Sequence, residues 1–125
     1  MAQEPAGRRR VFKTAWFART ARKALISDRE LCSAMQQVML GQAVDLGGGV
    51  FKKRLDKFRL RSIILARGGA NWVYEYLFAK KDRENIKESE LAHFKSLAKV
   101  YEVLTEQQIN ELIYNRDWME ICHGC

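Results

Sequence analysis

Three consecutive glycines, Gly47-Gly48-Gly49, divide this chain into two kinds of periodicity. Glycine loses the most backbone freedom on ordering, so neither a helix nor a strand interior tolerates such a run well. Before the triplet, apolar residues recur at helical spacing; directly after it, they alternate. The architecture therefore changes there.

Upstream, Ser27 and Glu30 have the spacing of a capping box, and Leu31, Ala34, Met35, Val38 and Met39 follow at i, i+3, i+4, i+7 and i+8. This predicts a helix that ends by Gly41. Earlier still, Phe12, Trp16, Phe17, Ala21 and Leu25 recur at intervals close to one or two turns, as in an amphipathic helix or a strand followed by a helix. Residues 1–10 hold the single proline, Pro5, with Gly7 and Arg8, Arg9 and Arg10, and show no period. They read as a disordered basic tail ahead of one domain over residues 11–125.

Downstream, residues 50–55 place Phe51, Lys53 and Leu55 on one side of a strand and Val50, Lys52 and Arg54 on the other. Residues 60–66, with Ile63, Ile64 and Leu65, form a second strand. Gly68-Gly69-Ala70-Asn71 is a turn, and residues 72–79 form a third strand whose alternation puts Trp72, Tyr74, Tyr76 and Phe78 on one face. Beyond Lys80 the helical period returns in Leu91, Phe94, Leu97, Ala98, Tyr101 and Leu104, starting near Ser89. Thr105 with Gln108 opens a last segment through Ile109, Leu112 and Ile113. The expectation is an α/β (α+β) fold: a small antiparallel sheet of three to four strands, the fourth a short one near Val11, with helices packed on one face and the other face free.

Charge adds a second constraint. The 125 residues, 47% apolar and 30% charged, suit one folded domain with a formal charge of +7. That excess is concentrated. Residues 1–26 carry seven cations against Glu4, residues 50–67 carry seven against Asp56, and residues 88–125 are acidic, with three cations and seven carboxylates. Two short basic stretches of this kind attract a polyanion. No run approaches the ~18 apolar residues of a membrane span, and no apolar stretch follows the arginines as in a signal peptide. Cys32, Cys122 and Cys125 are an odd number, unlike the even framework of a stapled secreted domain. A reducing cytoplasm is the expected location.

Lys52, Lys53, Arg54, Arg61, Arg67, Lys80, Lys81 and Arg83 all fall on or just beyond the three strands, which would bring them together. Crowded cations repel, and a phosphodiester would relieve that repulsion while accepting bidentate guanidinium bonds. The competing reading is a solvated sheet edge guarded by lysine. Phe58, Trp72, Tyr74, Tyr76 and Phe78 interleave with the charge and could stack on bases, although a stripe at strand spacing is more often core. His93 and His123 lie away from the basic strands. Cys122-His123-Gly124-Cys125 offers at most three ligands, so neither a metal nor a cofactor is expected. The glycine triplet lacks the Lys-Ser/Thr of a phosphate loop and reads as a flexible entry to the basic strand. Asp56, Asp82 and Glu84 steady neighbouring cations.

Three blocks, residues 11–19 (VFKTAWFAR), 45–54 (DLGGGVFKKR) and 77–86 (LFAKKDRENI), resemble in order and spacing the RelE/HigB-like toxins of bacterial type II toxin-antitoxin modules. The resemblance implies a small helix-backed sheet that cleaves messenger RNA at the ribosome without metal, by directing the ribose 2′-hydroxyl onto the adjacent phosphate. It implies Arg61 and Lys80 as transition-state stabilisers, with Lys52, Lys53 or Arg54 positioning the RNA or taking the proton, and Lys53 counted with the catalytic set. Lys52, Arg54, Arg59, Arg67, Lys81 and Arg83 would lie along the RNA. It also implies an antitoxin partner, typically a helix-turn-helix DNA-binding protein. Relatives carry a longer Gly/Lys-rich loop where only residues 55–60 separate Arg54 from Arg61, and no histidine accompanies the cations. Two other readings share the fold: a non-catalytic module that binds nucleic acid or an acidic partner, and a gyrase-poisoning ParE-like toxin.

Overall fold

Three of the four helices among the described residues open on a hydroxyl side chain that accepts from a first-turn N–H, and the other on a carboxylate that reaches back to the N–H of its N-cap residue. In the computed structural model, which describes residues 9–123, the order is β1 (Arg10–Thr14), α1 (Ala15–Lys23), α2 (Asp28–Met39), β2 (Val44–Gly47), β3 (Val50–Leu55), β4 (Leu60–Leu65), β5 (Asn71–Ala79), α3 (Glu88–Glu102), α4 (Glu106–Tyr114) and β6 (Trp118–Ile121). Thr14 Oγ1 accepts from Phe17 N at 3.1 Å and Ser27 Oγ from Glu30 N at 3.2 Å. Lys87 N donates to the Glu90 carboxylate at 2.7 Å, and Thr105 and Gln108 close a reciprocal box. No helix of the described residues is long and apolar enough to cross a membrane.

The sheet has six strands in the order β2-β3-β4-β5-β1-β6, not three to four. The pairings are antiparallel except that of β1 with β5, which is parallel. The added strands β2 and β6 have four residues each. At that length alternation cannot register, and β2 contains Asp45 and Gly47, residue types that strands avoid. β6 exists because β1 offers it an edge, Val11 pairing with Ile121 and Thr14 with Trp118. Arg10, assigned above to the tail, is the first residue of β1, where it bonds Glu120 at 2.9 Å and Glu106 at 3.2 Å. Residues 1–8 of that tail lie outside the described residues.

Helices cover both faces of the sheet, which corrects the expectation of one free face. α1 and α2 pack Phe17, Ala21, Leu31 and Met35 against Leu55, Leu60, Ile64 and Tyr74. On the other face α3 packs Phe94 and Ala98 against Val50, Ile63, Leu65 and Phe78, while Ile109 of α4 meets Phe12, Val73 and Trp118. The reason is visible in β4, which is buried at all six positions. A strand carrying Ile63, Ile64 and Leu65 in succession points apolar groups to both sides, and neither side can be left to water.

The aromatic stripe of β5 is also split. Ile63 pairs with Tyr76 but Ile64 with Tyr74, which leaves Glu75 as the extra residue of a bulge. Trp72 and Tyr74 therefore join the α1/α2 side, where Tyr74 Oη donates to Leu31 O at 2.7 Å, and Tyr76 and Phe78 join the α3 side.

Two further readings change. The glycine triplet is the tight β2–β3 turn rather than a flexible entry. All three glycines have positive φ, and a Cβ on Gly49 would lie 2.5 Å from the Cβ of Arg67. Cys32 and Cys122 form a disulfide across 90 residues of sequence. The β6 pairing carries Cys122 to α2, a proximity that counting cysteines does not reveal.

Candidate nucleic-acid interface

Alternation along β3 separates the basic residues before any ligand is considered. Val50, Lys52 and Arg54 point to the α3 side, whereas Phe51, Lys53 and Leu55 point to the α1/α2 side. Lys53 therefore does not join Arg61. Its Nζ donates to Gln42 O at 3.0 Å on the opposite face, and burial lowers its pKa.

On the α3 side, Arg54 stands opposite Arg61, and Arg61 opposite Phe78. α3 covers the end of this face marked by Val50, Leu65 and Ile63, and the arginines lie beyond it. Arg61 is 7% exposed, and its Nη1 donates to Phe58 O at 2.6 Å and Leu60 O at 3.2 Å. Among the described residues no other Arg61 nitrogen has a partner, and no buried side-chain nitrogen lacks one. Nε and Nη2 therefore each keep some contact with solvent, although the side chain as a whole is buried. The Arg54 guanidinium lies 5.5 Å from the ring centroid of exposed Phe58.

The β3–β4 turn that positions these groups is short. Asp56, Lys57 and Phe58 have φ of 50°, 52° and 72°, three successive non-glycine residues in the left-handed region. Each costs roughly 1–2 kcal/mol. Arg61 offsets part of this by bonding the turn's carbonyl oxygen, and Arg59 pairs with Asp56. Lys80 follows β5 directly, and its N–H donates to Arg59 O at 2.9 Å, so it leaves the sheet beside this turn. Lys80 and Lys81 are exposed.

Carboxylates from the acidic C-terminal segment remove some candidates. Arg67, at the far end of β4, bonds Glu102 at 2.7 Å. Arg83 pairs with Glu90, its Nη1 to Oε2 distance being 3.1 Å, and its guanidinium lies 5.5 Å from the Phe78 ring centroid. The Arg83 bonds and the Lys87 N–H hold Glu90 down to a pKa of about 2. Lys52 meets only the neutral Asn85 Oδ1, at 3.3 Å. Among the described residues Lys52, Arg54, Arg61, Lys80 and Lys81 have no carboxylate partner. Asn85 and Glu90 were not anticipated as neighbours of the cations. They reach them through the fold of residues 80–87, which carries no periodic signal.

This arrangement can take a phosphodiester. Arg54 and Arg61 stand on adjacent strands, which run ~4.8 Å apart, so both guanidinium groups can present donors to the non-bridging oxygens, and the helix-covered sheet behind them lowers the screening by water. Residues 9–121 match a family model described as the RelE toxin of the RelE/RelB toxin-antitoxin system. No curated protein and no solved structure gives a significant match.

Proposed function

Because this chain belongs to the RelE toxin family, the toxin half of a toxin-antitoxin system with a cognate antitoxin, we propose that it is a metal-independent endoribonuclease acting in the cytoplasm on messages being translated at the ribosome. The observation that carries this reading is the Arg54–Arg61 pair with Lys52 and Lys80, free of carboxylates, at the end of the sheet face that α3 leaves open.

In the proposed reaction the 2′-hydroxyl gives up its proton to solvent water as its oxygen attacks the adjacent phosphorus, and the bond from phosphorus to the 5′-oxygen breaks as that oxygen takes a proton from water. The products are a 2′,3′-cyclic phosphate and a 5′-hydroxyl. Negative charge grows on the phosphoryl oxygens in the transition state, where Arg61 Nε and Nη2 and the Lys80 ammonium stabilise it most. Lys52 and Arg54 hold the flanking strand. Lys81 extends the positive field, while Arg59, Arg67 and Arg83 contribute less because Asp56, Glu102 and Glu90 already neutralise them. Lys53, on the other face, takes no part in proton transfer in this scheme. The antitoxin is proposed to be a helix-turn-helix DNA-binding protein that holds the toxin inactive.

One observation favours a second reading. The β3–β4 turn is short and Arg61 is partly committed to its backbone, which suits a module that binds nucleic acid without cutting it. Mapping 5′ ends of cellular messages after tightly controlled induction separates the two. New ends inside coding regions with the wild type, absent with Arg61→Ala plus Lys80→Ala, support the ribonuclease. Intact messages under verified expression support the binding module, and intact messages with DNA damage would point to gyrase poisoning.

A further inference from the structure

The sequence holds three tryptophans. Trp72 and Trp118 are 8% and 3% exposed, whereas Trp16 is 43% exposed and belongs to no core cluster. Its neighbours explain why. In α1 the buried stripe is Phe17, Ala18 and Ala21, and a residue adjacent to Phe17 is turned about 100° away from it.

The exposed indole is nevertheless held in place. β1 ends at Thr14, its last pair with β5 being Lys13 with Tyr74, while β5 continues to Ala79. The first turn of α1 therefore lies against a stretch of β5 that is paired with β4 on one edge and left open, among the described residues, on the edge β1 has vacated. There the Trp16 ring stacks on Tyr76, with centroids 5.1 Å apart and planes 17° apart. Tyr76 is itself fixed. Its ring tilts against Phe78 and Phe94, each at 5.9 Å, and its hydroxyl accepts from Arg83 Nη1 at 3.4 Å. The bulge at Glu75 takes Tyr76 and Phe78 off the face of Trp72 and Tyr74 and onto that of Arg61 and Arg54. Tyr76 lies two residues from Phe78 along β5 and one strand from β4, so the aromatic stack and Arg61 are on the order of 10 Å apart.

We infer that Trp16, held by Tyr76, is a stacking platform for an unpaired base of a single RNA strand whose phosphates the Arg54–Arg61 group takes. The inference rests on the RNA reading above and deepens it. An aromatic ring stacks on any base, so the platform orients the strand without choosing sequence, and its fixed geometry spares the ordering cost of binding. Because a base must be out of a duplex to stack, the platform also selects single strands.

The test uses the purified chain and a short fluorescently labelled single-stranded RNA of mixed sequence, with the matching RNA duplex as control. Binding is read by anisotropy and by tryptophan emission. Trp72 and Trp118 are buried, so the expected quenching on single-strand binding comes from Trp16 and disappears in Trp16→Phe. Trp16→Ala is expected to weaken single-strand binding on the order of ten-fold and to leave duplex binding unchanged. Trp16→Phe is expected to keep most of the affinity. If Trp16→Ala binds the single strand as tightly as the wild type while Arg61→Ala plus Lys80→Ala does not, the platform is wrong and the RNA reading stands. If the wild type binds neither RNA, both fall.

Discussion

Arg54 and Arg61 stand directly opposite each other across the β3–β4 pair. Like charges so placed destabilise a sheet by roughly 0.2–1 kcal/mol. Here the cost is eased on one side by the Phe58 ring and on the other by backbone carbonyl oxygens, and neither arginine pairs with a carboxylate among the described residues. Relief of that repulsion by a bound anion is what the proposed binding site predicts and a solvated edge does not.

Inorganic phosphate should therefore raise the melting temperature more than chloride at equal ionic strength. Arg54→Gln should melt slightly higher than the wild type without phosphate and lose most of the phosphate response. An undiminished response in the variant would falsify the placement of the anion between these two residues.

Arg61 and Lys80 should differ in what their loss does to the fold. Arg61→Ala removes the donor for Phe58 O and Leu60 O, which should cost about 1–3 kcal/mol. Lys80→Ala, at an exposed position, should stay within about 0.5 kcal/mol of the wild type. Urea melts distinguish them, and equal stabilities would mean that Arg61 does not hold the turn. Loss of cleavage in Lys80→Ala is thus the cleaner measure of chemistry.

Two carboxylates should give opposite pH dependences. Burial raises the pKa of Glu75, against the opposing bond from Tyr101 Oη at 2.7 Å and the field of His93. A raised folded pKa means that the group's stabilising contribution is complete below the unfolded value of about 4.3 and is lost as pH rises through the folded value. Glu75→Gln should therefore gain stability relative to the wild type as pH rises from acid toward neutral. Glu90 is held down to about 2 by Arg83 and the Lys87 N–H. Its contribution is present above the unfolded value and is lost as pH falls toward the folded one. Being near the surface, that contribution should be small and should shrink in salt. Parallel pH profiles for Glu75→Gln and Glu90→Gln would contradict this assignment.

The bond between Cys32 and Cys122 closes a loop of 90 residues. Chain entropy alone would give such a closure roughly 4–5 kcal/mol, and disulfides typically deliver about 2–4 kcal/mol. Reductant should lower the melting temperature of the wild type and leave Cys32→Ser plus Cys122→Ser unaffected. Mass spectrometry after thiol alkylation in the cell would report which state predominates there, since a reducing compartment opposes the bond.

Much of this architecture was legible locally. The caps at Ser27 and Thr105, the helix through Leu31 and Met35, and the strands around Lys52, Ile63 and Tyr74 each follow from residues within a few positions of one another. The basic blocks and the family resemblance were legible too, and the family match confirms the latter. The α+β class held, although the strand count and the free face did not.

What the amino-acid sequence determined alone is therefore the set of elements with their own periodicity or caps, and the concentration of charge on three strands. Tertiary structure decided which of those charges meet. Lys53 is removed from Arg61 by the strand's own alternation, Arg67 and Arg83 are neutralised by Glu102 and Glu90 of α3, and the single extra residue Glu75 splits the β5 aromatics between the two faces, leaving Tyr76 on the α3 side with Trp16 stacked on it. These outcomes depend on pairings between segments far apart in the chain, in which strand register and helix docking are set by the total burial of apolar surface. No local window contains that quantity.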